Sequence, residues 1–132
     1  MPVRNQALTA ANIRYLLVLR QLCPDDGVTR CVHVAEMLGI SKSSVHTMMN
    51  SLKDMELIEK DRYGTVRFTE KGSRLSTLYT DYFEFMSREL YGVIPQSASR
   101  DIAVCAFLAE VPEKDLELAK QRREEEEERN VS

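Results

Sequence analysis

The chain has 132 residues, of which 43% are apolar and 30% are charged, a balance typical of a folded domain and not of a disordered segment. This length disfavours large enzyme folds such as the (β/α)₈ barrel, which needs about 200 residues or more. No stretch approaches the roughly 18 apolar residues of a membrane span, and the N-terminus lacks the pattern of a secretory signal. Three cysteines without a C-x-x-C pair fit neither a disulfide framework nor a zinc ribbon. We therefore expect a cytoplasmic protein with no membrane partner.

The net charge of −3 is unevenly distributed along the chain. Residues 1–80 contain 11 Lys and Arg against 8 Asp and Glu, whereas residues 81–132 contain 7 against 13. The run of glutamates at 124–128 supplies part of the acidic excess, and we interpret it as a solvated helix or a frayed tail. A mildly basic first half permits nucleic-acid binding at that end of the chain.

Three helices are predicted first. Thr9 is the predicted N-cap of a helix that runs to about residue 22, where Pro and Gly within 23–27 end it. A short helix follows over about residues 32–38 and ends at Gly39. Ser41 is the predicted N-cap of the next helix, whose apolar side chains recur on one face. The sequence therefore predicts two helices joined by a tight turn.

Two short β-like runs and three further helices follow. The runs cover residues 57–60 and 66–69, and the polar link between them contains a glycine, which is a hairpin signal. A helix is predicted from near Thr69 to about residue 90, a second over about 98–110, and a highly charged third over about 113–129.

This order of elements is that of a winged helix-turn-helix. We therefore predict a mostly α fold with an α+β wing. Residues 1–75 are the predicted winged helix-turn-helix DNA-binding domain, residues 76–112 a helical region, and residues 113–132 a charged C-terminal helix or acidic tail.

The outer face of the third predicted helix carries short polar side chains, which suit the edges of bases in a major groove. The residues expected to contact base edges are Ser43, Ser44, His46, Thr47 and Asn50. The cations expected to contact phosphates are Lys42, Lys53, Arg62 and Arg67. The alternative is that this face is merely the solvated side of an amphipathic helix. Winged helices also serve as protein-binding modules, so a protein–protein interaction module that never meets DNA is a second alternative.

Residues 34–76, VAEMLGISKSSVHTMMNSLKDMELIEKDRYGTVRFTEKGSRLS, resemble the DNA-binding domain of the iron- and manganese-dependent repressors, the relatives of the diphtheria toxin repressor and the manganese transport regulator. The resemblance rests on Ser-Ser-Val at 43–45, Leu-Ile before the wing, Arg-Tyr-Gly at its tip and Thr-Glu-Lys-Gly after it. It continues more weakly through Leu-Tyr-Gly-Val at 90–93.

The resemblance implies a transcriptional regulator, with repression as the expected outcome, that binds a palindromic operator in double-stranded DNA as a homodimer. Residues 76–112 are then a dimerisation region. The apolar side chains expected at its two-fold interface are Leu78, Tyr79, Tyr82, Phe83, Met86, Leu90, Ile102 and Phe107.

The metal ligands of that family have no counterparts here. Its Glu-x-x-Glu-His or Cys-x-x-Glu-His cluster falls on residues 103–107, Ala-Val-Cys-Ala-Phe, and Cys105 is not in a ligand position. Where the first helix of the family carries acids, this chain has Asn12, Arg14, Tyr15 and Leu17. The family's histidine falls near residues 81–83, where Asp81 is the available donor. Mn²⁺ and Fe²⁺ need several converging oxygen or imidazole ligands.

The two histidines do not complete such a site. We interpret His33 as a polar surface residue and His46 as a DNA contact. We therefore expect no bound metal and no cofactor, and a regulator that works without metal. The alternative is a metal-responsive repressor whose ligands lie elsewhere in the chain.

Six aromatic residues allow two interpretations. They are Tyr79, Tyr82, Phe83, Phe85, Tyr91 and Phe107. A dimer core is favoured, because aromatic side chains dominate interface energetics. A pocket for an apolar or aromatic effector is the alternative, and the sequence does not identify the effector. Redox sensing is disfavoured, since only Cys31, beside Arg30, has a cationic neighbour.

An enzyme is not expected. The sequence contains no phosphate-cradling glycine loop, no G-x-S-x-G elbow and no paired histidines at metal-binding spacing. Two histidines and no convergent set of acids leave no candidate catalytic residues.

Overall fold

The computed structural model describes residues 7–131. Residues 1–6 of the predicted DNA-binding domain and residue 132 of the predicted tail lie outside the described residues. The described part of the chain forms six helices and three strands. In chain order these are α1 (Ala10–Leu22), β1 (Val28–Arg30), α2 (Cys31–Leu38), α3 (Lys42–Asp54), β2 (Ile58–Lys60), β3 (Thr65–Phe68), α4 (Glu70–Glu89), α5 (Ala98–Glu110) and α6 (Glu113–Val131).

Hydroxyl side chains begin four of these helices. Thr9, Ser41, Thr69 and Ser97 are the N-caps of α1, α3, α4 and α5, and each side chain accepts a hydrogen bond from a backbone N–H in the first turn of its helix. Helix α2 ends at Gly39, whose φ of 66° lies in the left-handed region that glycine adopts without steric cost. These local signals explain why the predicted helix boundaries are confirmed to within a residue or two.

The predicted hairpin belongs to a three-stranded antiparallel sheet in the order β1-β3-β2. Strand β1 was not predicted, because three residues are too few to show an alternating pattern. Its buried Thr29 pairs with Val66, and the Cys31 N–H donates to the Gly64 carbonyl at 2.9 Å. The start of the helix-turn-helix is therefore hydrogen-bonded directly to the wing.

One buried apolar cluster runs through the described part of the chain. Its fully buried members include Leu16 of α1, Val45 and Met49 of α3, Leu75 of α4 and Leu108 of α5. Helix α1 packs against both α4 and α5. The predicted boundary between residues 75 and 76 falls inside α4, so this one helix joins the winged head to the helical region.

Helix α6 lies along α4. The Tyr82 hydroxyl donates to the Leu116 carbonyl at 2.6 Å, and the Arg123 guanidinium lies over the rings of Tyr82 and Phe85. The Lys120 ammonium forms an ion pair with Asp81 at 3.1 Å. The charged C-terminal segment is therefore helical and is held to the fold through its first half.

The Arg20 guanidinium joins three parts of the fold. Its Nε and Nη2 donate to Ser76 Oγ at 2.9 and 2.6 Å, and Nη2 also donates to the Ser73 carbonyl at 3.1 Å. Its Nη1 pairs with Asp26 at 3.0 Å, and its carbon lies 4.6 Å from the centre of the Phe68 ring. A hydrogen bond from the Ser73 hydroxyl, together with Arg20, lowers the pKa of Asp26.

No helix among residues 7–131 is both long enough and apolar enough to span a bilayer.

Gly72, in the first turn of α4, lies directly against the chain that leads into β2. A β-carbon at Gly72 would lie 1.7 Å from the Leu57 carbonyl oxygen and 2.7 Å from the Leu57 carbonyl carbon, and neither backbone atom can move aside. That carbonyl already accepts the Thr69 N–H at 3.1 Å. The glycine that follows the wing is thus required by close approach of two backbone segments.

We predict that Gly72→Ala lowers the free energy of unfolding by about 3 kcal/mol or more, because the clash involves backbone and cannot be relieved by a rotamer change. Urea unfolding measures it. Gly27→Ala is the matched control, since a β-carbon at Gly27 meets no atom within 4 Å. Equal stability of the two variants would contradict this close packing.

Candidate nucleic-acid interface

Helix α3 has a fully buried face and an exposed polar face. Val45, Met49 and Leu52 are completely buried against the core. The predicted contact residues on the other side are exposed, with one exception described below. These exposed residues are Lys42, Ser43, Ser44, Thr47, Asn50 and Lys53. Six of the nine predicted contact residues are therefore exposed on one helix.

Two hydroxyl groups on this face are bonded locally. The Ser41 hydroxyl donates to Ser44 Oγ at 2.9 Å, and the Thr47 hydroxyl donates to the Ser43 carbonyl one turn back at 3.1 Å. The acceptor lone pairs of Thr47 remain available, because its hydroxyl acts only as a donor in this bond. Short side chains also let the α3 backbone approach a nucleic acid closely.

His46 is the exception, because it is only partly exposed. Its Cε1 lies 3.7 Å from the position that a β-carbon on Gly64 would occupy, and the Cys31 side chain lies at the same distance. The ring therefore lies in the angle between α3 and the wing. Packing between the two elements accounts for this placement.

A hydrogen bond also links α3 to the wing. The Lys60 ammonium donates to Asn50 Oδ1 at 3.3 Å. Sequence analysis did not identify Lys60 as part of this surface, since its register on β2 is visible only once the strand is placed beside α3. Arg30 of β1 was likewise considered only as a neighbour of Cys31. It is exposed, and β3 separates its strand from β2.

The wing turn is built around Asp61. Its Oδ1 accepts the backbone N–H groups of Tyr63 at 2.8 Å and Thr65 at 3.0 Å. Gly64 has a φ of 84°, which closes the turn. The Arg62 guanidinium lies over the exposed Tyr63 ring and donates to its hydroxyl at 2.8 Å. The exposed tip of the wing therefore carries the Arg62 guanidinium stacked on the Tyr63 ring.

Arg67 lies on β3 and is exposed, but a carboxylate accompanies it. Its Nε is 3.9 Å from Glu59 on the neighbouring strand, and both side chains are more than half exposed. A pair of this kind contributes little to stability in water. This exposed pair leaves Arg67 on the solvent-facing side of the sheet, where the proposed phosphate contact would be made.

The positions where the resemblance places metal ligands are otherwise engaged or apolar. Asn12 belongs to the capping box of α1, with its Oδ1 accepting the Thr9 N–H at 3.0 Å. Asp81 pairs with Lys120. Cys105 lies within the aligned cluster but not at a ligand position, and burial raises the pKa of its thiol to about 11. Among residues 7–131 there is no cluster of three or more His, Cys, Asp or Glu side chains arranged to hold a metal ion.

The eight predicted dimerisation residues fall into three groups. Leu78, Tyr79 and Tyr82 are buried within the single chain and belong to its own core. Phe83, Met86 and Leu90 are partly buried against that core. Ile102 and Phe107 remain 50% and 56% exposed on α5.

The cysteines are buried free thiols. Burial is the main cause that raises the pKa of Cys23 and of Cys31. Raised thiol pKa values lower the thiolate fraction on which oxidation depends. Burial and a raised thiol pKa therefore both disfavour oxidation of Cys31.

We predict that Asp61→Asn reduces the acid sensitivity of folding. Backbone hydrogen bonds, that of Thr65 foremost and then that of Tyr63, lower the pKa of Asp61 below its ordinary value of 3.8. A carboxyl with a lowered pKa stabilises the fold above about pH 4, and this contribution is lost as the pH falls through the folded-state pKa.

Urea midpoints at neutral pH and at about pH 3 check this prediction. The neutral asparagine variant should show a smaller drop between the two pH values than the wild type. Asp54→Asn on the exposed end of α3 is the control and should follow the wild type. An unchanged drop in Asp61→Asn would contradict the prediction.

Comparisons with known proteins address the fold and the family. Comparison with curated protein sequences finds no match. Solved structures to which this chain is similar include the next three. The hypothetical protein SSo2273 from Sulfolobus solfataricus has a TM-score of 0.54 and 20% identity, with 83% of this chain and 84% of that chain covered. IdeR of T. acidophilum has a TM-score of 0.57 and 19% identity, with 89% and 55% covered.

ZitR of Lactococcus lactis has a TM-score of 0.52 and 21% identity, with 83% of this chain and 73% of that chain covered. At these identities the similarities show the fold alone, and the winged helix-turn-helix prediction is confirmed. This chain spans only about half the length of IdeR. The family model described as "Domain of unknown function (DUF8462)" matches residues 1–74, more than half of the sequence, and the chain therefore belongs to that family.

Proposed function

We propose that the protein is a DNA-binding transcriptional regulator, a homodimer that represses from a palindromic operator without a metal cofactor. One observation carries the proposal: the exposed polar face of α3 continues into the wing through the Lys60–Asn50 hydrogen bond. An α-helix of this kind fits a major groove, and a wing beside it reaches the adjacent backbone. The winged-helix neighbours IdeR and ZitR are transcription regulators, which supports the proposal at the level of the fold.

The kinship proposed here is with the iron- and manganese-dependent repressors. The match of residues 34–76 to their pattern and the fold similarity to IdeR support it. In this proposal the chain is a relative that has lost its metal ligands, because residues 103, 106 and 107 are Ala, Ala and Phe. Their side chains are exposed in the single chain, so these substitutions add apolar surface instead of refilling a core.

That apolar surface supports the proposed homodimer. On α5, Val104, Cys105 and Leu108 face the core, whereas Ile102 and Phe107 are half exposed on the opposite side. A helix that is apolar on both sides is typical of a buried helix. A second copy of the chain would cover this outer face, and a two-fold arrangement matches a palindromic operator.

We predict that the protein selects a palindromic sequence from genomic fragments in the presence of a chelator. Each phosphate contact adds about 0.9 to the slope of log K against log salt. Lys42→Gln and Lys53→Gln should each lower that slope by about 0.9 and weaken binding to all sequences alike. Lys114→Gln, on the exposed surface of α6, is the matched control and should leave the slope unchanged.

Selection that occurs only after a divalent ion is restored would overturn metal independence and favour a metal-responsive repressor. No selection under either condition would overturn DNA binding and favour a protein-interaction module.

We predict that Phe107→Asp converts the dimer into a monomer, because it buries a carboxylate in an apolar interface. Sedimentation velocity over a range of concentrations measures this change. The fold should survive, since the Phe107 side chain is 56% exposed in the single chain. Leu118→Asp, at a similarly exposed position on α6, is the control. A wild-type protein that sediments as a monomer throughout would refute the homodimer.

A further inference from the structure

A cleft of about 620 Å³ opens where three helices meet. Its lining comes from the end of α1, the C-terminal half of α4, the α4–α5 loop and the first turns of α5. Small-molecule sites have volumes of about 300–1,000 Å³, so the cleft has the size of a ligand site. It lies apart from α3 and the wing, because none of its lining residues belongs to α3, β2 or β3.

Arg100, in the first turn of α5, is the one charged residue among those lining the cleft that is buried, with 8% of its surface exposed. Its Nη1 donates to the Ile94 carbonyl at 3.2 Å. Its Nε is buried and has no acceptor among residues 7–131. An arginine that is buried without an anion or a full set of acceptors is costly, and the cost falls when an anion binds.

A second buried polar atom without a partner lies in the same cleft. Ser87 on α4 lines it, and its buried hydroxyl has no hydrogen-bond partner among the described residues. Two residues from different helices, each with a buried unsatisfied donor, therefore line one cleft. The unused edge of a guanidinium, formed by Nε and a terminal nitrogen, matches the two oxygens of a carboxylate.

The surroundings of Arg100 further define the ligand. Ser97 caps α5, so the positive end of the helix dipole lies at the same place and favours an anion. Phe83 and Tyr91 also line the cleft and offer flat apolar surface. They are the two members of the predicted aromatic set that lie there.

The remaining charged groups of the lining limit the charge of the ligand. Arg88 adds one more cation, but Glu84 and Asp101 add two carboxylates, and neither of these forms an ion pair with Arg100. Like charge disfavours a polyanion such as a phosphate monoester. A singly charged carboxylate avoids most of this repulsion.

We propose that this cleft binds a small organic monocarboxylate with a flat apolar body. The carboxylate pairs with the free edge of the Arg100 guanidinium and accepts the Ser87 hydroxyl, and the apolar body lies against Phe83 and Tyr91. The proposal concerns the protein alone and does not depend on DNA binding. Its failure and the failure of the proposed function are therefore distinguishable.

Benzoate is the test ligand, and benzamide, which has the same shape without the charge, is its matched control. The full chain is titrated without DNA, and ¹⁵N–¹H NMR shifts are followed. Benzoate should shift amides within residues 83–101 in a saturable way, and benzamide should not. Inorganic phosphate should bind more weakly than benzoate.

Two variants locate the site. Arg100→Gln should weaken benzoate binding about tenfold or more, and Ser87→Ala about fivefold, the cost of one lost hydrogen bond. Arg123→Gln is the matched control, since Arg123 also has a buried Nε without a partner but stacks on Tyr82 outside the cleft. If Arg100→Gln does not fold, Ser87→Ala and the benzamide comparison decide the question.

Three results would overturn the proposal. They are the absence of saturable shifts within residues 83–101, equal binding of benzamide and benzoate, and unchanged benzoate binding in Ser87→Ala.

Discussion

The relative placement of the helices depends on the contacts that the Arg20 guanidinium makes. Its side chain is 15% exposed and reaches across from α1 to the completely buried Ser76 hydroxyl of α4. It also stacks on Phe68, the last residue of β3, and pairs with Asp26 in the loop before β1. One planar group with five donors thus fixes the start of α4 against the end of the wing. An apolar side chain at this position would leave several oxygen atoms without a donor.

Fixing the start of α4 determines where the rest of the chain lies. Helix α4 continues directly from β3, with the Thr69 hydroxyl donating to the Glu56 carbonyl at 2.6 Å and Gly72 against Leu57. Tyr82, in the second half of α4, donates a hydrogen bond to α6, and α4 also packs against α5. The polar face of α3, the apolar face of α5 and the Arg100 cleft therefore lie on one connected framework with a common core.

The sequence was sufficient for those features that depend on local chemistry. Capping residues such as Thr9 and Ser41 act within one turn, so each helix start was predictable from its own residues. The order of elements then identified the winged helix. Strand β1 was missed because its three residues become a strand only through pairing with β3, a contact between residues far apart in the sequence.

The same distinction applies to the candidate sites. The exposed face of α3 followed from helical periodicity, but the partly buried position of His46 depends on Gly64 in the wing. Tyr79 and Tyr82 were assigned to a dimer interface, yet both are buried within one chain, where the Tyr82 hydroxyl donates to the Leu116 carbonyl of α6. Periodicity shows which side of α4 is apolar and does not show what covers it. Arg100 was absent from every predicted site because its burial arises from the meeting of three helices.

The position of the cleft limits how a ligand there can influence the proposed DNA binding. A ligand shifts an equilibrium only by its difference in affinity for the two states, and the effect is reciprocal. Gln21 of α1 lines the cleft, and its neighbour Arg20 holds α4 to the wing. Coupling between the cleft and the proposed DNA-binding surface would therefore require a change in the packing of α1 against α5. A ligand that binds the cleft without altering that packing leaves the affinity for DNA unchanged.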